Sequence, residues 1–489
     1  MKRFVHGDNR TQSFLLPEAL DDYVTDTNPV RVVDVFVDER DLQKLGFEGV
    51  EPALAGRSSY HPEVMLKIYI YGYLNRIQSS RRVEREALRN IDLMWLTGRL
   101  TPDFKTIARF RKDKAIRSVC RQFVMLCQRL DLFSEALVAT GGSKFKVANH
   151  RDHDLTSAKL ERRMRDIKAS ISRYLAQINT ADRQEPTIAK AKTERLRDKI
   201  AALKEQMQIL EQAEVQLDAA PDKQVSRTDP DAHSTKTRGT GLVGYNVQVA
   251  VDTKHHLIGA HEVKNNGLDR GQLTSMAKLA RTEMGVDKLT AVANRGYYKS
   301  EEILACPEAG ITAFVPKTKT SGATAGERFG KEDFIFDAEK NEYRCPAGER
   351  LIWRYRTTER ALKLDRYWST QCQLCALKDK CTPSTGCRVT RWKHQGLLEE
   401  MHVRFDLAPD MMRIRRQTVE HPFGTIKPWI GATHFLTRSI ERVIAEMSLH
   451  VLAYNMKRVI ELFRNSYVGA AGVKPARGAR ALAIPSALM

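Results

Sequence analysis

Arg415-Arg416-Gln417-Thr418-Val419-Glu420-His421-Pro422-Phe423-Gly424-Thr425-Ile426-Lys427 is a basic stretch that presents one carboxylate among cations. Read as a helix, it sets Arg416 and Glu420 one turn apart on one face. Lys427 follows two turns beyond Glu420 on a similar azimuth, provided the helix continues through Pro422. A carboxylate held in this way suits a metal ion, and the cations around it suit phosphates. The same spacing also describes an ion pair on an ordinary amphipathic helix, which on spacing alone is the commoner outcome.

The rest of the chain is long and basic. Its 489 residues are enough for two or three domains, each with a sizeable core. With 80 Lys+Arg against 60 Asp+Glu the formal charge is +20, which favours a polyanionic partner, most simply nucleic acid, over an unspecialised soluble protein. No apolar run is long enough to span a bilayer, and Met1-Lys2-Arg3-Phe4 is not followed by the apolar segment of a signal peptide, so no membrane partner is expected. Eight cysteines in so long a chain do not make a disulfide scaffold and fit a reducing cytoplasm.

Residues 1–135 read as a helical domain. His61-Pro62-Glu63 opens one helix, and a second runs from about Arg81 to Trp95, breaking near Gly98. Thr101-Pro102-Asp103 opens a third, with Thr101 as its cap. This last helix carries Lys105, Arg109, Arg111 and Lys112. Two short helices around a glycine turn, the second basic, suit a helix-turn-helix reader of DNA or, equally, a bundle with a solvated basic face. The helix from Ile116 to Leu130 packs Cys120 and Cys127 into a core.

From residue 136 the pattern becomes mixed α/β. Leu137-Val138-Ala139 is a short apolar strand, followed by a turn through Thr140-Gly141-Gly142-Ser143-Lys144-Phe145. Residues 155–220 leave this fold: Leu160, Met164, Ile167, Ile171, Leu175 and Ile178, then Leu196, Ile200, Leu203, Met207 and Leu210, predict an antiparallel helical hairpin. It suits a dimerisation arm, a DNA clamp or a spacer. Asp222 to Thr240 reads as a polar loop. Tyr245 to Val251 alternates as a half-buried strand, Leu257 to Val263 is its antiparallel partner, and a helix capped by Asp269 follows. Leu289 to Ala293 is the next strand, ending at Asn294-Arg295-Gly296-Tyr297-Tyr298. Ser300 to Ala309 is a helix with Cys306 in its core face, and Ile311 to Val315 a strand. Residues 335–395 carry Cys345, then Cys372-x2-Cys375-x5-Cys381, the donor set of a structural zinc or a group of free thiols in a β-rich insertion, with Cys387 as a substitute ligand. Arg388, Arg391 and Lys393 would suit a DNA-facing insertion. A long amphipathic helix runs from Ser439 to Phe463, and residues 466–489 read as a disordered tail.

Arg416-x3-Glu420-x6-Lys427 after a basic run, with Gly142 to Phe145, Gly244 to Asp252, Arg295 to Tyr298 and the cysteine group, resembles the DDE transposases of bacterial insertion sequences, in a subgroup with a helical N-terminal domain and a cysteine-bearing insertion. The resemblance runs from about Phe4 to Phe463. The tyrosine often found three residues before the arginine is Arg413 here. The resemblance implies an RNase H-like catalytic domain over residues 136–465 and an N-terminal domain that binds terminal inverted repeats. It implies a bacterial, nucleoid-associated homo-oligomer acting on double-stranded DNA, both element ends and target. Lys144 joins the candidate DNA-binding residues. The chemistry implied is Mg2+-dependent cleavage and strand transfer, with Glu420 as the retained acid and Arg416 and Lys427 beside it. The two aspartates of the family fall at Gly141 and Asn294. A glycine offers no ligand and an asparagine only a neutral oxygen, so this copy is expected to bind DNA without catalysing strand transfer, as a non-enzymatic derivative or an inhibitor of transposition. Asp152, Asp154, Asp229 and Asp252 lie nearby in sequence, none at a matching strand end.

Overall fold

The computed structural model describes residues 19–52, 59–111, 114–133, 135–147, 154–181, 186–219, 224–226, 229–237, 240–317, 328–359 and 362–471. Residues 472–489 of the tail, Lys112 and Asp152 lie outside the described residues; residues 466–471, read as disordered tail, instead continue the last helix. The chain forms two compact units, one of residues 1–134, 142–267 and 420–489 and the other of 135–141 and 268–419. No helix among the described residues is long and apolar enough to cross a membrane.

The first unit opens with helices α1 (Pro29–Asp38), α2 (Pro62–Leu74), α3 (Ser80–Ala87), α4 (Ile91–Thr97), α5 (Phe104–Phe110) and α6 (Ala115–Arg129). Helix α2 starts as its sequence predicts, with Pro62 in the first turn and the His61 ring accepting from the Glu63 N–H. It is buried all round, and the one cation it buries, Lys67, is met by Asp34 at 2.7 Å, Asp38 at 2.5 Å and Glu63 at 2.8 Å. The segment predicted as one helix from Arg81 to Trp95 is two, because Asn90 leaves the helix and caps α4 through the Leu93 N–H. Likewise Asp103, not Thr101, caps α5: its carboxylate accepts from the N–H groups of Lys105 and Thr106 at 2.9 and 3.1 Å.

Strand β1 (Leu137–Lys146) continues straight through Gly141 and Gly142, where the sequence suggested a turn. Beyond it lie β2 (Asp154–Thr156), α7 (Ser157–Ala181), α8 (Pro186–Ala219), β3 (Gln224–Ser226), β4 (His233–Thr237), β5 (Thr240–Asp252) and β6 (Ile258–Lys264). Helices α7 and α8 pack on each other through Leu160, Leu210 and Ala213, with the antiparallel β2–β3 pair at one end. The segment read as a polar loop holds β3 and β4 instead. β5 begins at Thr240, before its apolar alternation starts, and β4 pairs antiparallel along that extension, His233 opposite Gly244. β5 also pairs antiparallel with β6.

The second unit carries α9 (Leu273–Met284), β7 (Leu289–Val292), α10 (Ser300–Glu308) and β8 (Ile311–Phe314). The first half of β1 pairs parallel with β7, and β7 pairs parallel with β8. Gln272, not Asp269, sits at the N-cap of α9 and makes no side-chain cap. A separate antiparallel sheet follows: β9 (Ile335–Asp337), β10 (Glu342–Arg344), β11 (Arg350–Glu359), β12 (Leu362–Trp368) and, after the short α11 (Lys378–Cys381), β13 (Arg388–Trp392). Helices α12 (Gln395–Asp406) and α13 (Met411–Ile426) close this part of the chain. α13 runs through Pro422, as the motif requires, and the division into units falls within it, after Val419.

The last helix, α14 (Ile440–Ala471), returns to the first unit and packs on α2, α6 and β6. Every residue from Ala445 to Met456 is buried, as in a helix enclosed on all sides. Most of its polar members have partners, His450 Nδ1 being an exception among the described residues. Glu446 accepts from the backbone N–H groups of Leu436 and Thr437. Ser448 meets the ring of His261 at 2.9 Å. The Asn455 amide bonds both the N–H and the C=O of Ile258, each at 2.9 Å.

Two stability predictions follow from this packing. A Cβ added at Gly244 would lie 1.9 Å from the Phe145 carbonyl oxygen. Gly244→Ala should therefore cost about 1–3 kcal/mol in denaturant unfolding, whereas an unchanged midpoint would show that the strands separate freely there. Burial holds His261 and His450 neutral, lowering each pKa from 6.5 to about 3. The unfolded chain binds protons that the native state refuses, so stability present above about pH 6.5 is lost as pH falls toward 3. The expected slope is about 1.4 kcal/mol per pH unit for each histidine. His261→Gln should flatten the urea midpoint between pH 7 and 5, and an identical pH dependence would place the effect elsewhere.

Candidate active site

In the second unit the parallel register pairs Leu137 with Thr290 and Ala139 with Val292. The same offset carried two residues further sets Gly141, midway along β1, level with Asn294, just past the carboxyl end of β7. Open α/β sheets bind ligands at such an edge. The two positions that the resemblance assigns to aspartates are thus neighbours across one strand pair.

Neither offers a charged oxygen. Gly141 is buried, and helix α13 occupies the space where a side chain would start. A Cβ there would lie 2.3 Å from Val419 Cγ1 and 3.0 Å from Arg415 Nη2. The Arg415 guanidinium also donates to the Thr140 carbonyl at 3.5 Å. Asn294 caps the 3-10 turn Arg295–Tyr297: its Oδ1 accepts from the Gly296 N–H at 2.8 Å. An asparagine oxygen already held by an amide proton is a poor magnesium ligand. Beyond that turn Tyr298 stacks on His402, ring centroids 5.9 Å apart.

The first unit holds Glu420 and Lys427. Glu420 is exposed on α13. Lys427 is not a free cation: its ammonium donates to Ser143 Oγ at 2.7 Å and to the Lys144 carbonyl at 2.8 Å, 4.5 Å above the Phe145 ring. Burial draws its pKa below the ordinary lysine value. It ties the end of α13 to β1. Beside Glu420 stands a group that the sequence reading missed. His421 Nδ1 lies 2.8 Å from the Tyr454 hydroxyl, which donates to the His256 carbonyl at 2.7 Å. The hydroxyl has one proton, so His421 Nδ1 must carry its own and donate it. The His421 and His256 rings stack at 5.0 Å, and burial holds both below the ordinary histidine pKa. The Glu420-His421 dipeptide in the motif was the available signal.

Of the acids considered as substitutes, Asp229 is buried and accepts from the Tyr245 hydroxyl at 2.9 Å and the Ser439 N–H at 3.2 Å. Asp252 is also buried, and accepts from the His255 N–H. Nothing is described of the Asp154 side chain. Among the described residues no three His, Cys, Asp or Glu side chains stand at metal-holding spacing.

Residues 18–113 match the family described as Transposase domain (DUF772), and residues 344–460 match that described as Transposase DDE domain. The two matches together support a DDE-type transposase of insertion-sequence type. No curated protein matches the chain. A solved cryo-EM structure of a piggyBac transposase synaptic complex with hairpin DNA is similar at 9% identity, covering 91% of this chain and 76% of that chain with a TM-score of 0.31.

The transposase presents two of its candidate DNA-facing cations to solvent on α5, Lys105 and Arg109, one turn apart. Arg111 is a correction to the sequence reading. It is buried, donating to the Gln78 carbonyl and lying over the Tyr69 ring at 5.6 Å, so it braces the helices instead of facing a phosphate. Lys144 is partly exposed on β1, and Arg416 is exposed on α13. The cysteines of the transposase divide cleanly. Cys120, Cys127 and Cys306 are buried in helices, while Cys345, Cys372, Cys375, Cys381 and Cys387 are partly buried and line one cavity of about 20 Å3.

The Val419 contact predicts that restoring an acid at 141 alone strains the fold. Gly141→Asp should lower stability by about 1–3 kcal/mol, and adding Val419→Ala should recover most of that loss in a thermal melt. Equal stability of Gly141→Asp and the unaltered chain would show that the strand end is roomier than described.

Proposed function

We propose that this chain is a transposase by descent that binds double-stranded DNA, at element ends and target, with its strand-transfer centre disabled. The observation that carries the reading is the pair Gly141 and Asn294, level with one another on β1 and just past the carboxyl end of β7, with Val419 packed where a first ligand would begin. Antiparallel β5 and β6 in one unit, and parallel β1, β7 and β8 in the other, support an RNase H-like domain as its origin.

Strand transfer in this family rests on divalent ions held by converging carboxylates, which activate the attacking oxygen and stabilise the leaving one. Magnesium requires hard, charged oxygens. The residues present do not fit that group: one position has no side chain, the next offers a neutral oxygen already accepting a hydrogen bond, and only Glu420 retains a charge. The charge of +20 and the exposed pair Lys105 and Arg109 support phosphate binding. A protein that occupies ends without cutting them acts as an inhibitor of active copies.

The test compares the unaltered chain with a Gly141→Asp, Asn294→Asp, Val419→Ala variant on a duplex carrying the element's own ends, with and without magnesium. Both should bind, and only the variant should nick. Nicking by the unaltered chain at a comparable rate would sink the reading. In parallel, Lys105→Ala with Arg109→Ala should weaken binding and reduce the slope of log affinity against log salt by about 1–2. An unchanged slope would remove α5 from the interface.

A further inference from the structure

The antiparallel sheet β9–β13 has a very small core. Its cluster of buried residues is Phe334, Tyr343, Leu351, Tyr367 and Val389, and Cys345, Cys381 and Cys387 pack against that cluster. Trp353 and Tyr355 on the same sheet are 44% and 48% exposed, so the aromatic side chains do not close it. Cores of this size commonly need a staple, either a disulfide or a metal.

Distant chain segments converge on the staple's place. Cys345 follows β10 in a tight turn, where the Gly348 N–H donates to the Cys345 carbonyl at 2.8 Å and the Cys345 N–H donates to the Glu349 carbonyl at 2.9 Å. Gly348 takes φ +85°, which a side chain would resist. Cys372 and Cys375 lie in and just after the 3-10 turn Gln371–Leu374, and Cys381 ends α11. Cys387 directly precedes β13 and is hydrogen-bonded to Cys381. Gly386 brings this last segment against Cys372, its Cβ direction 4.0 Å from that sulfur. Five thiols drawn from both ends of the sheet line one cavity of about 20 Å3, room for a single small occupant.

We propose that this cavity is a structural zinc site. Cys345, Cys372 and Cys375 supply three thiolates, and one of the pair Cys381 and Cys387 supplies the fourth. Four thiols bind one Zn2+ and release four protons, leaving a tetrahedral centre of net charge −2. Lys378, which also lines the cavity, offsets part of that charge. The fifth cysteine keeps its proton and donates it to a zinc-bound sulfur. Because no three ligands stand at metal-holding spacing among the described residues, binding draws the thiols inward from the cavity wall and tightens the sheet around them. A soft thiolate set in a closed tetrahedral arrangement selects zinc over the harder divalent ions.

The full-length chain, purified without chelator, should contain about one zinc per chain, and exchange with cobalt should give the absorption bands of tetrahedral thiolate cobalt. Cys345→Ser, Cys372→Ser and Cys375→Ser should each lose the metal. Of Cys381→Ser and Cys387→Ser, one should lose it and the other keep it. Since a variant can also lose metal by unfolding, alkylation of the unaltered chain is followed peptide by peptide with and without chelator. Zinc should protect the ligand cysteines and chelation should expose them, while Cys120, Cys127 and Cys306 react equally in both. A zinc-free chain whose alkylation pattern ignores the chelator, or a disulfide between Cys381 and Cys387, overturns the proposal.

Discussion

The first unit depends on satisfying the polar groups of one buried helix. From Ala445 to Met456, α14 has no solvent face, so each polar side chain in that run must find a partner inside the protein or destabilise the fold. Asn455 solves this by acting as a short piece of β-ladder: its amide meets both backbone groups of Ile258 and fixes where β6 begins. Glu446 does the same for the chain entering the helix, gathering the Leu436 and Thr437 N–H groups. Ser448 then pairs with His261 across the same contact. The geometry of β5 and β6 is thereby set from a helix nearly two hundred residues away in sequence.

The motif cations show how a charge can be recruited for packing. Lys427 and Arg111 both look like phosphate contacts on spacing. Each instead reaches a backbone carbonyl and an aromatic face, Lys427 at Lys144 and Phe145, Arg111 at Gln78 and Tyr69. A cation in such a place satisfies an acceptor that water would otherwise have to reach, and its stem covers apolar surface. Lys105 and Arg109 on α5, in contrast, stay exposed.

Local features were legible in the sequence. The Pro62 helix start, the amphipathic runs of α7 and α8, the alternating β5 and the strand before Asn294 all depend on neighbours within a few residues, which periodicity reports directly. The features that escaped depend on partners far along the chain. Nothing local says that β1 will stay extended through Gly141 and Gly142, that β4 will add to β5, or that Arg111 will be buried. The candidate site divides in the same way. Glu420, Asn294 and Gly141 were found by motif, whereas the His421–Tyr454–His256 arrangement required knowing what α14 lies beside. Cys387 was seen only as a spare ligand, because its closeness to Cys381 is made by the fold of the sheet.

The contact of Val419 with Gly141 also constrains how the chain can change. A branched side chain on α13 lies in the volume that a side chain at 141 would need, and it contributes packing of its own. A single base change that puts an acid at 141 meets that steric barrier. Accommodating the acid takes two changes, and the first made alone either opens a void beside β1 or forces atoms together. The pair works as a latch: the geometry of one methyl group makes glycine easier to keep than to replace.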